Sequence, residues 1–147
     1  MDRGLAVLLT AAVGGLIALQ APINSVLGKS VGTLQAATIS FAIGTLALVL
    51  LAATVGGGFG DVGEVRHVSA VYLTGGLLGA AYVTSVLVTV RSLGVGGVTA
   101  ATIAGQLSIS VLVDQLGILG TDERPITAAK VVGVVLLAAG VYLIVRE

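Results

Sequence analysis

The sequence predicts an all-α integral membrane protein with five transmembrane helices, and three observations support this fold class. Hydrophobic residues make up 56% of the 147 residues, whereas Asp, Glu, Lys and Arg make up only 10%. A soluble domain is roughly 25% charged, so this chain lacks the polar residues that would cover a soluble globule. Five stretches are each apolar over about the 20 residues that a helix needs to cross a bilayer. These stretches do not alternate between polar and apolar residues, as the strands of a membrane β-barrel would.

The five predicted spans form one transmembrane domain over residues 1–147, and they cover residues 4–27, 34–55, 69–90, 98–119 and 127–145. The first span is apolar as far as Ala21 and then meets Pro22. Because proline lacks a backbone N–H, it predicts a kink there. A loop rich in Gly, Asp and Glu, residues 56–67, separates the second span from the third.

The boundaries of the later spans follow from capping residues and turn residues. Ser69 is a candidate N-cap for the third span and Thr127 for the fifth, since a hydroxyl can accept a bond from a free N–H of the first turn. Arg91 and the glycine-rich residues 94–97 predict the turn before the fourth span. Residues 121–125 predict a short charged loop before the fifth.

Composition also excludes several classes of function. The formal net charge is zero and no basic run occurs, so the sequence offers no surface for nucleic acid. The chain has no cysteine and one histidine, His67, which predicts no metal site. Neither a nucleophile–base pair nor a phosphate-binding motif is visible, so we expect neither an enzyme nor a bound cofactor.

The odd number of spans predicts that the two termini lie on opposite faces of the membrane. Two copies related by a two-fold axis in the membrane plane would then form an inverted pair, as in many transporters. The basic residues are nearly balanced between the two predicted faces: Arg3, Arg66, Arg124 and Lys130 on one, and Lys29, Arg91 and Arg146 on the other. Because the positive-inside rule needs an excess on one face, fixed and dual topology both remain open.

The fourth span contains the most informative polar pattern. Thr102, Gln106, Ser110 and Asp114 follow one another at a spacing of four, so they share one helix face. A polar face inside an apolar span should line a bundle interior or an aqueous cavity. The amide of Gln106 would either bond across helices or contact a substrate. For Asp114 two interpretations stay open: an interfacial pair with Arg124 or Lys130, or binding of a coupling proton or cation.

Smaller polar features occur in the first and third spans. Gln20 and Asn24 flank Pro22 and share a face, where they could satisfy groups freed by the kink or contact a ligand. In the third span, Tyr82, Ser85 and Thr89 form a mildly polar face. The same span also carries small residues that could allow close helix packing or leave room for a substrate cavity, namely Gly75, Gly76 and Gly79.

Several of these motifs also resemble those of one known family. The chain has N-x-x-L-G-K at 24–29, S-F-x-x-G at 40–44 and G-G-L-L-G-A-x-Y at 75–82. The most specific piece is G-Q-x7-D-x-x-G at 105–117. On these motifs the sequence resembles the DUF606 (YdcZ-like) family of the drug/metabolite transporter (DMT) superfamily over nearly its whole length.

The resemblance implies a small, multi-pass protein of the bacterial inner membrane. It further implies that the chain is half of a ten-helix DMT-like inverted dimer, formed with a second copy or with a sister subunit. One departure lies beside Asp114, where the family commonly has His and Phe and this chain has Gln115 and Leu116.

Together these observations favour a secondary transporter subunit that moves a small organic solute as an inverted dimer in the lipid bilayer. The hypothesis places Gln106, Ser110 and Asp114 along the pathway, with Gln20 and Asn24 opposite. Two other functions remain open: a dual-topology small ion channel, in which the polar face replaces the hydration of an ion, and a non-transporting membrane assembly subunit.

Overall fold

The structure is a computed structural model that describes residues 2–146. Its α-helical stretches are α1 (Arg3–Val31), α2 (Thr33–Thr54), a long stretch Gly75–Leu116 and a last helix Ala128–Val145. Gly94, at φ 68° and ψ 172°, is not helical and divides the long stretch. We name its two parts α3 (75–93) and α4 (95–116), so the last helix is α5. Two 3₁₀ helices, Gly60–His67 and Ala70–Thr74, lie between α2 and α3, and no strand occurs in residues 2–146.

These helices confirm the prediction of an all-α protein with five spans. Four helical stretches are long and apolar enough to cross a membrane, and one of them, Ala70–Leu116, has 47 residues. At 1.5 Å per residue this stretch would extend for about 70 Å, more than twice a hydrocarbon core of about 30 Å. The break at Gly94 therefore makes two spans of it.

The chain forms two compact units, residues 2–88 and 89–146 of the described part. Few residues of the membrane-spanning helices are buried. In the most apolar segment of each helical stretch, at most 22% of the residues are buried. Large aliphatic side chains such as Leu16, Leu46 and Leu136 are each about two-thirds exposed. A surface of this kind suits lipid, which solvates aliphatic side chains as well as a protein interior does.

Helix α1 begins at a side-chain cap and ends at a glycine. The Asp2 carboxylate accepts hydrogen bonds from the N–H groups of Gly4 (3.1 Å) and Leu5 (3.4 Å). The helix then continues through Pro22 as far as Val31. Gly32 adopts φ 96°, in the left-handed region that favours glycine, so α2 starts after a single connecting residue.

The core of the first unit is small and lies where α2 and α3 meet. It consists of Ala36 and Ala37 of α2 with Val83 and Leu87 of α3, and Leu27 and Tyr82 pack against it. The alanines allow the two helices to approach closely, which is how membrane helices commonly pack.

Residues 56–67, between α2 and α3, are predicted to form a loop, and the structure differs from this prediction. Residues 60–67 form a 3₁₀ helix with three residues per turn. Ser69 precedes the second 3₁₀ helix, but its side chain makes no capping hydrogen bond. The predicted Ser69 cap is therefore wrong.

In the second unit, Thr127 caps α5 as predicted, since its hydroxyl accepts a hydrogen bond from Lys130 N at 3.3 Å. The predicted turn at Arg91 and 94–97 is wrong in extent, because only Gly94 leaves the helical region.

We expect Gly94→Ala to destabilise the protein, because the conformation of Gly94, φ 68° and ψ 172°, is essentially restricted to glycine and costs another residue about 1–3 kcal/mol. Gly96→Ala is the matched control. Gly96 is helical with nothing within 4 Å of an added Cβ, so alanine should stabilise α4 by about 1 kcal/mol. Thermal unfolding in detergent should give a lower midpoint for the first variant and not for the second. Equal midpoints for both variants would contradict the strained break at Gly94.

Candidate functional site

The structure places the polar residues of the fourth predicted span on α4, and we refer to Thr102, Gln106, Ser110 and Asp114 as the α4 polar stripe. Their spacing of four puts them along one face of the helix. Gln106 and Ser110 are exposed within the chain, whereas Thr102 and Asp114 are partly buried. Gln106 lies at the midpoint of α4, so its amide is at the greatest depth of this span.

Most of the stripe has no hydrogen-bond partner of its own. Within residues 2–146, the side chains of Thr102, Gln106 and Ser110 make no hydrogen bond. By contrast Ser108, on another face of α4, donates to the carbonyl of Ala104 at 2.8 Å. The stripe thus presents free donors and acceptors at membrane depth, where an unsatisfied polar group costs several kcal/mol.

Asp114 differs from the rest of the stripe because it has a partner. Its carboxylate lies 3.9 Å from Lys130 Nζ, with the two side chains 38% and 30% exposed. The same ammonium group donates to the backbone carbonyls of Arg124 (3.4 Å) and Pro125 (3.3 Å). A long ion pair between partly exposed groups contributes at most about 1 kcal/mol, so this contact leaves the carboxylate accessible.

The end of α4 is tied to the loop that follows. Arg124 N donates to the carbonyl of Asp114 at 2.7 Å, and Ile126 N donates to the side-chain oxygen of Gln115. Asp114 lies two residues before Leu116, the last residue of α4. This is near the end of the span, as the interfacial interpretation requires. Gln115, at a position that departs from the family pattern, has a structural contact.

The second group of predicted site residues lies on α1, in the other compact unit. Gln20 and Asn24 line one cavity, whose remaining walls are Ile17, Ala21, Tyr82, Val83, Val86 and Leu87. Gln20 is exposed, whereas Asn24 is only 4% exposed. Asn24 Nδ2 has no hydrogen-bond partner. A buried donor without an acceptor costs about 1–3 kcal/mol.

The cavity is narrow and carries no charge. The volume open to the centre of a water molecule is about 10 Å³, the lower limit for one water. Its polar groups are Gln20, Asn24 and Tyr82, and no acidic or basic side chain lines it. The sequence indicated these three polar residues, but the aliphatic wall from α3 was not predicted, because apolar residues of every span look alike in the sequence.

The glycines of α3 have unequal surroundings. A Cβ added to Gly79 would lie 3.4 Å from the ring of Phe41 in α2, in ordinary contact. Atoms added to Gly75 and Gly76 would meet nothing within 4 Å in the described chain. That part of α3 is therefore open to close approach by another helix or by a solute.

The five apolar helices, with unpaired polar groups at membrane depth, define a multi-span integral membrane protein with a candidate pathway. A family model described as "Putative inner membrane exporter, YdcZ" matches residues 5–143. The chain belongs to this family, which confirms the resemblance seen in the sequence. It is thus a protein of the inner membrane, and its family membership supports a membrane transporter. No curated protein and no solved structure matches the chain.

We expect Asn24→Leu to stabilise the isolated protein, because leucine has a similar branched shape and removes the buried, unpaired amide. The gain should be about 1–3 kcal/mol, the cost of such a donor, and it is measured as a higher midpoint of unfolding in detergent. Gln20→Leu is the control, since its exposed amide carries no such cost. A lower midpoint for Asn24→Leu would mean that this amide is satisfied in the folded protein.

Proposed function

We propose that the chain is a subunit of a secondary transporter that exports a small organic solute across the inner membrane, with the α4 polar stripe lining the pathway. The observation that supports this most directly is the exposed amide of Gln106 at the midpoint of α4, without a hydrogen-bond partner in residues 2–146. Against lipid tails both ends of this amide would stay unsatisfied. A second chain, water or a solute must therefore cover it.

An inverted pair supplies such a cover. Because the number of spans is odd, two copies with opposite orientation bring the same helix face together across a two-fold axis in the membrane plane. The partner in this proposal is a second copy or a sister subunit. Each α4 then contributes Thr102, Gln106 and Ser110 to one central pathway, which opens alternately to either side as the halves rock against each other.

Residues of α1 complete the proposed pathway. Gln20 and Asn24 lie on either side of Pro22, where the missing N–H leaves a carbonyl one turn earlier without its helical partner. Interrupted hydrogen bonding is typical of helices that bind substrates in transporters. In this proposal Gln20 and Asn24 contact the solute.

Asp114 is assigned to the coupling ion. Its pair with Lys130 is long and partly exposed, so the contact breaks at little cost and leaves the carboxylate available to the coupling ion. Arg124 N in the neighbouring loop bonds to the backbone carbonyl of Asp114, so a change in the charge of Asp114 can act on this loop without Lys130.

The test is transport in proteoliposomes, driven by a pH gradient. A panel of labelled small organic solutes is first screened with the wild-type protein. For the solute that moves, Asp114→Asn should lower the flux at least tenfold and abolish its pH dependence, because the amide neither releases nor binds a proton. Lys130→Gln is the matched control and should keep at least half of the flux, since it removes the same ion pair but keeps the carboxylate of Asp114.

Other outcomes would contradict the proposal in distinct ways. Undiminished, pH-dependent flux in Asp114→Asn would remove Asp114 from coupling. Single-channel currents in planar bilayers would replace the carrier by a channel. If the wild type moves no solute and cells tolerate Gln106→Leu, the chain is an assembly subunit instead.

A further inference from the structure

The cavity beside Asn24 is incomplete in a specific way. Its one deeply buried polar group is an amide donor, Asn24 Nδ2, that finds no acceptor. The other polar groups at the cavity, those of Gln20 and Tyr82, also make no hydrogen bond within the described residues. Buried polar groups in proteins are nearly always paired. The cavity therefore lacks an acceptor that a bound molecule can supply.

We propose that this cavity is a subsite for an uncharged, hydrogen-bond-accepting group of the solute, a hydroxyl or carbonyl oxygen, which accepts from Asn24 Nδ2. This inference rests on the proposed function, and it names the class of cargo: neutral polar solutes rather than organic cations.

The absence of charge around the cavity decides the class. A cation placed there would have no carboxylate to balance the loss of its hydration, and an anion would have no basic side chain. A neutral oxygen can bind there if it directs a lone pair at the side-chain N–H of Asn24. The hydroxyl of Tyr82 and the amide of Gln20 can each donate and accept, so they can bind a hydroxyl proton as well.

The size of the cavity limits what enters it. The volume of about 10 Å³ admits one atom the size of a water oxygen. Since Gln20 is exposed at the edge of the cavity, the remainder of the solute lies on that side. Only the oxygen of the solute enters this space, where it accepts from the unpaired Asn24 Nδ2.

The chain offers an unambiguous probe, because Asn24 is its only asparagine. Protein labelled with ¹⁵N-asparagine in detergent gives one side-chain amide pair and one backbone amide. We would titrate it with three compounds of similar size, namely benzyl alcohol, benzyltrimethylammonium and benzoate. Benzyl alcohol should produce a saturable downfield shift of the side-chain protons, whereas the backbone amide, held in the helix, should move little.

The result that overturns this inference is equally defined. A side-chain shift that is absent or linear with benzyl alcohol, or larger with the cation, would show that the cavity does not select a neutral acceptor. The readout is independent of transport. A silent amide together with active flux refutes the subsite alone, and a saturable shift without flux refutes the transporter alone.

A separate observation concerns the connection between α2 and α3. Five apolar side chains repeat there at intervals of three, and we name them the apolar ridge: Phe59, Val62, Val65, Val68 and Val71. All five are exposed, at 43–57%. Because a 3₁₀ helix has three residues per turn, the ridge members within Gly60–His67 lie above one another. Asp61, Glu64 and His67 follow the same interval on a different face.

The geometry points to the lipid interface as the partner of this ridge. The segment joins the end of α2 to the start of α3, two apolar helices that cross the membrane, so both of its ends are held at the bilayer surface. An amphipathic helix there lies in the interface plane and buries its apolar face among the acyl chains. Residues 60–67 contain two carboxylates and one guanidinium, so apolar burial rather than attraction to anionic headgroups provides the binding.

The absence of cysteine allows a clean test. Single-cysteine variants of the full chain in phosphatidylcholine liposomes would carry an environment-sensitive fluorophore at a ridge position (Val62→Cys, Val65→Cys) or at its polar neighbour (Asp61→Cys, Glu64→Cys). Brominated lipid should quench the ridge labels at least twofold more than the polar labels, and aqueous iodide should show the reverse order.

Uniform iodide quenching at all four positions would overturn the interfacial placement. Efficient cross-linking of Val65→Cys between copies, without quenching by brominated lipid, would replace lipid by a second copy of the chain.

Discussion

The structure depends on one constraint: within the hydrocarbon core, every backbone N–H and C=O must find its partner inside the protein. This constraint explains why the apolar spans are helical. One residue, Gly32, connects α1 to α2, and one residue, Gly94, separates α3 from α4. Pro22 is an exception, because it lies inside α1 and has no N–H to complete the helical hydrogen bonds. It lies beside the polar side chains of Gln20 and Asn24.

The same constraint makes the unpaired side chains informative. Hydroxyl groups in membrane helices can bond to their own backbone, as Ser108 does. Amides are longer and cannot be hidden in this way as easily, so Gln106 and Asn24 stand out. Gln106 is exposed on its helix and needs a polar partner to cover it, whereas Asn24 is enclosed and needs something small to enter. Two different kinds of partner follow from one physical rule.

The sequence predicted the five spans, the Thr127 cap and the polar stripe, because hydropathy and a spacing of four are local properties. It predicted a turn at Arg91 and 94–97 but did not single out Gly94, since Gly96 and Gly97 offered the same local signal. The cavity was also beyond the sequence: which aliphatic residues of α3 face Asn24 depends on how helices pack, and Val83 and Val86 look like any other valines. The interval of three from Phe59 to Val71 is present in the sequence, but the sequence predicts a loop over 56–67 and the third span from 69, so it does not predict one ridge.

Charge divides the candidate site residues into two groups with different chemistry. The carboxylate of Asp114 sits near the end of α4, partly exposed and next to a lysine, where a proton or cation can arrive from water without crossing hydrocarbon. The cavity at Asn24 has no charge and little volume, so it can discriminate by hydrogen bonding alone. A site that reads a neutral oxygen cannot itself respond to a proton gradient, and a site at the interface cannot enclose a solute. In the proposed transporter, selection of the solute and coupling to an ion are therefore tasks of different side chains.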